Sequence, residues 1–510
     1  MIIRDGWGYS EEKKGNAVHQ ANTPNNDRYL KSYPWTLLKC DGGAVGLPDG
    51  SQGSSEPGHL TISAGRIVPQ LLTEINQSIM DGRFYQKPVF LEAVQNCKDK
   101  GSSLHLMGIH SDQGLHGTAD HLYALLELAR REELSEVYVH CFLDGVDCPM
   151  MSAERFIVRT QEQIIQRGVG RISSIIGRYY AMDRDNNWDR IQKAYDLITL
   201  GTGRIESDVF EAIRNAYRKG LDDCHMEPIV LVDGEEEPIA KVSRGDSVIF
   251  WNFRPDRARQ LTQAFTGEDF NSFKRKNKSR VFFVCMSTYD SKLHLPVAFP
   301  CQKISNTLGQ ILSANGLSQL RVAEEEKRAH ITYFFNGYQE DPYPGEDRLI
   351  VPSLKTSRFD ERPEMSADEI THKLIVKMRD ESYDFILVNY ANSDFVGHSG
   401  NLQAGIEACE VVDRNVGRVV QTGLDEGYIV LITADHGNIE TMLCSDGSPN
   451  PSHGNNPVPF ILISDDPELR KVKLRSNLGL SSVAPTILSL LEIQKPSNMT
   501  GEDIILHLND

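Results

Sequence analysis

Asp435 and His436 stand side by side in Ala434-Asp435-His436-Gly437-Asn438, directly after a β-branched, nearly uncharged run at 428–433. A carboxylate beside an imidazole in such a place can hold a divalent cation or move a proton. Two other segments repeat the arrangement. Residues 1–4 run into Asp5-Gly6-Trp7-Gly8, and the apolar run at 385–390 leads to Asp394 and, four residues on, His398. His453 lies in the polar stretch Pro451-Ser452-His453-Gly454-Asn455-Asn456, where nothing apolar calls for an imidazole. An isolated Asp-His pair serves equally well to cap a turn. Three aspartates and three histidines at strand ends and in loops instead make a ligand set. Oxygen and imidazole donors without thiolates suit manganese or zinc and speak against a structural zinc site. Their number predicts two ions.

The elements that must position these residues are strands. The run at 428–433 reads as the last strand of the chain, buried on both faces of a parallel sheet. Ligands in open α/β sheets bind at the carboxyl ends of such strands. Only four residues precede Asp5, against the usual ~5–6 of a strand. Either this first strand is short or the natural start lies upstream. Two more strand-like signals precede a polar, glycine-studded loop at 47–59, which passes straight into Leu60-Thr61-Ile62-Ser63-Ala64-Gly65-Arg66. A serine ahead of Glu56-Pro57 at the start of a helix is also an ordinary N-cap. Residues 67–72 read as a hinge into an inserted domain with its own α/β rhythm. Strand patterns at 104–109, 137–143, 172–176, 248–251 and 281–285 alternate there with helical ones such as 121–131. A second linker falls near 300–305. The expected organisation is therefore α/β, with a discontinuous domain of residues 1–69 and 305–510 and an insertion of residues 70–304.

Composition narrows the function. The 510 residues are 40% hydrophobic and 25% charged, without low-complexity tracts or repeats, and carry a formal net charge of -17. Nucleic acids and anionic membranes need a basic footprint, so neither is an expected partner. Nine dispersed cysteines with no C-x-x-C pair read as reduced thiols of a cytoplasmic protein. No stretch reads as a signal peptide or as an apolar span long enough for a bilayer.

Gly53-Ser54-Ser55-Glu56-Pro57-Gly58-His59-Leu60-Thr61-Ile62-Ser63-Ala64-Gly65-Arg66 resembles the phosphoserine loop of the cofactor-independent (2,3-bisphosphoglycerate-independent) phosphoglycerate mutases, members of the alkaline phosphatase superfamily. The Asp5-Gly6-Trp7-Gly8 motif looks like another signature of that family. So do Asn389-Tyr390-Ala391-Asn392-Ser393-Asp394-Phe395-Val396-Gly397-His398, Thr433-Ala434-Asp435-His436-Gly437-Asn438 and Ala484-Pro485-Thr486-Ile487-Leu488-Ser489-Leu490-Leu491. They occur in the family's order, and the likeness covers essentially the whole chain. It implies an alkaline-phosphatase-like α/β sandwich domain interrupted by a substrate-binding phosphotransferase domain. One ion would be held by Asp394, His398 and His453; the other would take Asp5, Asp435, His436 and the hydroxyl of Ser55. Manganese is the expected metal, although zinc, cobalt and iron accept such ligands too. No added 2,3-bisphosphoglycerate is implied. Ser55 would be the nucleophile, with Ser54 the competing candidate.

The same resemblance assigns substrate binding to His116, Asp147, Arg178, Arg184, Arg254 and Arg257 in loops of the insertion, and to Lys327 of the phosphatase-like domain. Guanidinium forks match carboxylate and phosphate oxygens bidentately. The plainer reading pairs these arginines with Asp183, Asp185 or Asp256, and takes Lys327 as part of a solvated charge run. One departure stands out: Val146 replaces an arginine of the family's pattern in Leu143-Asp144-Gly145-Val146-Asp147. Losing one charge-assisted bond costs about 1.5–3 kcal/mol, a tenfold to hundredfold effect. Pro57, Gln113-Gly114 and Gly117-Thr118 are smaller departures. The implied activity is interconversion of 3-phosphoglycerate and 2-phosphoglycerate in glycolysis and gluconeogenesis, by a monomer, through a phosphoserine. The insertion would act as a lid that keeps water from the phosphoserine. The rival readings are a metal-dependent phosphomonoesterase on the same scaffold and a non-catalytic binding relative.

Overall fold

In the computed structural model, which describes residues 1–234, 236–278, 280–300, 303–356 and 358–506, the chain divides into two compact units. One comprises Met1–Gln70 and Gln302–Asp510, the other Leu71–Cys301.

The first unit is built on a seven-stranded sheet in the order Glu346–Val351, Gln319–Glu324, Phe385–Tyr390, Ile2–Arg4, Val430–Thr433, Val458–Ile463, Trp35–Leu38. The first five strands are mutually parallel. Every residue of Phe385–Tyr390, Ile2–Arg4 and Val430–Thr433 is buried, which explains their unbroken apolar character. The helix Leu402–Asp425 begins where the Asn401 side chain accepts the Ala404 N–H. It buries Ala404, Ala408, Val412, Val416 and Val419 along one face, the stripe expected of a helix laid on a sheet. The carboxyl ends of four adjacent parallel strands lie side by side. They lead to Lys327, Asp394, Asp5 and Asp435.

Three expectations need correction. The run at 428–433 supplies the strand Val430–Thr433, but it is not the last: Val458–Ile463 follows and pairs antiparallel with it. Pro459 weakens the strand signal there, yet burial of all six residues prevails. Between Asp5 and the 47–59 loop the only strand among the described residues is Trp35–Leu38, rather than two. Asp394 lies not in a loop but on a short helix, Asn392–Gly397, which brings His398 onto the same face one turn later.

The second unit holds an eight-stranded sheet in the order Val297–Phe299, Phe282–Ser287, Ser247–Phe250, Leu104–His110, Val137–Leu143, Arg171–Gly177, Ile229–Leu231, Arg204–Glu206. The first six strands are parallel and the last two run opposite to them. Alternate residues feed two apolar cores: Leu104, Leu106, Val139 and Ile249 in one, Met107, Ile109, Val248 and Phe250 in the other. Adjacent strands Ser247–Phe250, Leu104–His110, Val137–Leu143 and Arg171–Gly177 open at their carboxyl ends into the loops that carry Arg254, His116, Asp147 and Arg178. No helix among the described residues is long and apolar enough to cross a membrane.

Candidate metal centre and active site

Ser55 begins the helix Ser55–Ala64 at its first turn, while Ser54 occupies the cap position without a side-chain capping bond. Helical geometry therefore frees the Ser55 hydroxyl from capping duty. Ser55 Oγ donates to Asp5 Oδ1 at 3.2 Å, lies 2.9 Å from His436 Nε2 and accepts from Lys327 Nζ at 2.9 Å. Lys327 also donates to Asp5 Oδ1 at 2.6 Å and to Asp394 Oδ2 at 2.7 Å. Burial works against the Lys327 charge, but Asp394 and Asp5 outweigh it and hold the ammonium above its ordinary range. Lys327 is thus no solvated charge; it is fully enclosed.

Asp5, Asp435 and Asp394 are all buried. Burial penalises both Asp394 and Asp435, yet nearby cations keep each well below the usual carboxylate range. Lys327 leads for Asp394 and His436 for Asp435. Burial would also lower His436, but Asp435 and Asp5 push it up to about 10. The Lys327 ammonium and the His436 imidazolium together still leave three enclosed carboxylates short of neutrality. The oxygen–imidazole groups close around two points: Asp5, Asp435 and His436 around one, Asp394, His436 and His453 around the other. His398 completes the second group, with Nε2 at 3.1 Å from His453 Nε2 and 3.3 Å from Asp394 Oδ1.

The fit to cations follows from hydrogen bonding. His398 Nδ1 lies 2.7 Å from the Pro451 carbonyl, and His453 Nδ1 2.7 Å from the Gly53 carbonyl. A carbonyl only accepts, so each Nδ1 carries a proton and each Nε2, where deprotonated, turns a lone pair inward. Two such lone pairs 3.1 Å apart, with Asp394 Oδ1 at 3.1 Å from His453 Nε2, suit a cation among them; without one, the Asp394 hydrogen bond raises the pKa of His398. Asp435 Oδ2 is enclosed 3.2 Å from His59 Nδ1 without a well-aligned hydrogen bond, so it keeps acceptor capacity for a cation. The donor set fits divalent metal ions.

In the second unit three aspartates, Asp144, Asp147 and Asp256, hold most of the predicted substrate residues. Arg178 Nη1 donates to Asp144 Oδ1 and to Asp147 Oδ2, both at 2.6 Å. Asp256 Oδ2 accepts from Arg184 Nη1 at 3.1 Å, while Oδ1 lies 3.5 Å from both His116 Nδ1 and Arg254 Nε. The His116 carbonyl accepts the Phe253 and Arg254 N–H groups at 2.8 and 3.2 Å, tying two loops together. Arg257 donates to the Met182 carbonyl at 3.1 Å; burial, then Arg178 and Arg184, depress its pKa. Arginines facing one another in this way form a site shaped for an anion. The ion-pair reading thus applies to Asp256, with Arg184 and Arg254, whereas Asp183 engages Arg190 instead. Val146 is exposed and donates only its backbone N–H, to Asp144 Oδ1 at 3.2 Å.

Residues 75–291 match the model of the BPG-independent PGAM N-terminus. The 2,3-bisphosphoglycerate-independent phosphoglycerate mutase 1 of Methanosarcina acetivorans is 48% identical over 99% of this chain and 98% of its own. The chain belongs to the 2,3-bisphosphoglycerate-independent phosphoglycerate mutases. A mutase of this family from Moorella thermoacetica shows the same 48% identity and coverage. The crystal structure of Leishmania mexicana phosphoglycerate mutase at low cobalt concentration superposes with a TM-score of 0.74 at 30% identity, covering 99% of this chain and 97% of that one. The family's α/β architecture is thus the architecture found here.

Sequence reasoning missed several residues of this mutase-family site. Asp144 lay inside a quoted motif, but its role as an anchor for Arg178 needs the neighbouring strand. His59 also lay inside a quoted motif but was given no role; its Nδ1 lies 2.9 Å from the Ser55 carbonyl and its Nε2 lies 3.0 Å from Asn389 Nδ2. Asn389 in turn donates to Asp5 Oδ2 at 2.7 Å. Glu440, two residues beyond the Asp435-His436 motif, was also missed.

Proposed function

We propose that this chain interconverts 3-phosphoglycerate and 2-phosphoglycerate through a phosphoserine on Ser55, with two divalent ions, manganese by preference, held by the ligand sets above. The observation that carries the reading is the Ser55 hydroxyl, enclosed by Asp5, His436 and Lys327 and released from capping. Bound divalent ions would lower the pKa of a ligating hydroxyl and offset charge on phosphoryl oxygens. Ser55 Oγ attacks phosphorus, a phosphorus–serine oxygen bond forms, and the bond to the substrate's 3-oxygen breaks; the proton released by Ser55 ends on that oxygen, which leaves as the 3-hydroxyl of glycerate. Asp5 Oδ1 takes the hydrogen bond of the hydroxyl proton at the start. Lys327 Nζ supports negative charge on Oγ and on the phosphoryl group. His116, Asp147, Arg178, Arg184, Arg254 and Arg257 bind glycerate and its phosphate. Once glycerate has turned, its 2-oxygen attacks phosphorus and serine leaves, regenerating the hydroxyl.

Transfer to water would make the same centre a phosphomonoesterase. The gathered arginines favour return to glycerate, because hydrolysis does not require the acid to be held. We also place the protein in the cytoplasm, acting as a monomer in glycolysis and gluconeogenesis. Rapid quenching of manganese-loaded protein with 3-phosphoglycerate, followed by peptide mass spectrometry, tests the intermediate. Phosphate on the peptide containing Ser55 is expected; phosphate elsewhere, or none during turnover, rejects the assignment.

A further inference from the structure

Glu440 is enclosed, and its carboxylate meets three loops at once. Oε2 accepts the Gly8 N–H at 3.0 Å and the Asn438 N–H at 2.9 Å, while Oε1 accepts Asn456 Nδ2 at 2.9 Å. Gly8 follows Asp5, Asn438 follows Asp435 and His436, and Asn456 follows His453. Three glycines, one from each loop, let the backbones close on this carboxylate. A Cβ on Gly8 or Gly437 would collide with it, and one on Gly454 would stand 2.9 Å from Oε1. The Gly454 N–H also donates to the Gly437 carbonyl at 2.8 Å, joining the last two loops directly.

No salt bridge is found for Glu440 among the described residues. Two backbone N–H groups and one amide satisfy its charge. Burying a carboxylate this way is costly unless its acceptors are all used, so the group is poorly explained as mere filling. A neutral side chain of the same shape would leave one of the N–H donors facing another donor.

We infer that Glu440 is a positioning residue for the metal centre, setting the spacing of the loops that carry Asp5, Asp435, His436 and His453. It touches no reacting atom. The inference rests on the proposed reading of those four residues as metal ligands. Supporting groups of this kind change metal affinity by roughly 10–100-fold when altered.

The test measures binding of manganese chloride alone, by calorimetric titration, to the full chain and to Glu440→Gln, Gly454→Ala and the double variant. Thermal melting of the metal-free proteins runs in parallel. Gly454 has no close neighbour but Oε1 within 3.4 Å, so its added methyl acts through the carboxylate. The expected result is a roughly 10–100-fold weaker manganese affinity in either single variant. The double variant should be no worse than the poorer single, because both act on one contact. The melting of metal-free Gly454→Ala should match the parent. Affinity within threefold of the parent in Gly454→Ala, or additive losses in the double variant, overturns the inference. If Glu440→Gln fails to fold, Gly454→Ala decides alone. A parent that binds no manganese would instead reject the metal-ligand reading itself.

Discussion

The Ser55 hydroxyl is held from three sides, by Asp5, His436 and Lys327. Ser55→Ala is therefore expected to lower isomerisation by a factor on the order of 10⁴ or more. Manganese titration of that variant should still detect binding at Asp394, His398 and His453. Asp256 is a different kind of residue. It orders Arg184, Arg254 and His116 without needing to touch substrate. Asp256→Asn should raise KM for 3-phosphoglycerate about tenfold to hundredfold, the worth of one charge-assisted bond. Affinity for manganese should stay unchanged in that variant. A kinetic comparison showing a fall in kcat at constant KM would contradict this division of labour. The plain ion-pair reading of Arg184 and Arg254 with Asp256 is what the structure has, and it is compatible with their proposed binding role, because an aspartate that spaces two guanidinium groups also keeps them ready for an anion.

At the scale of elements, the second unit encloses three histidines, His110 and His140 on strands and His121 on the helix Ala119–Arg131, whose burial works against their charge. His110 is lowered to about 4, His121 to about 3, and His140 well below its usual value. For a folded-state pKa below the unfolded 6.5, the unfolded chain binds more protons between the two values. Stability is then fully present above pH 6.5 and is lost as pH falls from 6.5 toward 4. His121→Gln, whose side chain cannot take up the proton, should make that loss shallower by up to about 1.4 kcal/mol per pH unit. Denaturant unfolding at pH 6.5, 5.5 and 4.5 provides the check; an unchanged slope would contradict it. Strands of this kind were the most legible part of the sequence: the patterns at 137–143 and 385–390 reappear as Val137–Leu143 and Phe385–Tyr390. What escaped notice had a physical cause. Val458–Ile463 carries a proline and follows a polar loop. Glu440 looks like a surface residue until three loops converge on it. Asn389 sits at the end of an apolar run, where an amide gives no sign that it will support Asp5.

For the whole molecule, the balance of buried charge governs behaviour. Three enclosed carboxylates against one ammonium and one imidazolium leave the metal-free protein with uncompensated buried charge. Manganese at a hundred times its dissociation constant should raise stability by about 2.7 kcal/mol per site. Calorimetry with and without a chelator would show it as a higher melting temperature, and chelation should abolish turnover. Because ligands must be deprotonated, activity should fall steeply below neutral pH; a flat profile would contradict metal dependence. The proposed metal and substrate sets were read along the chain from the family's motif order, and Asp256 was already a candidate partner for the arginines. The anchoring of Arg178 by Asp144 was not legible, because the two follow different strands.

The most direct test uses purified, manganese-loaded protein and 3-phosphoglycerate, with 2-phosphoglycerate followed through enolase coupling and free phosphate followed in a duplicate. Rapid formation of 2-phosphoglycerate with little phosphate, lost in Ser55→Ala, is the predicted result and would mean that Val146 is tolerated. Phosphate without isomer, or isomer formed equally well by Ser55→Ala, would contradict a phosphoserine mutase.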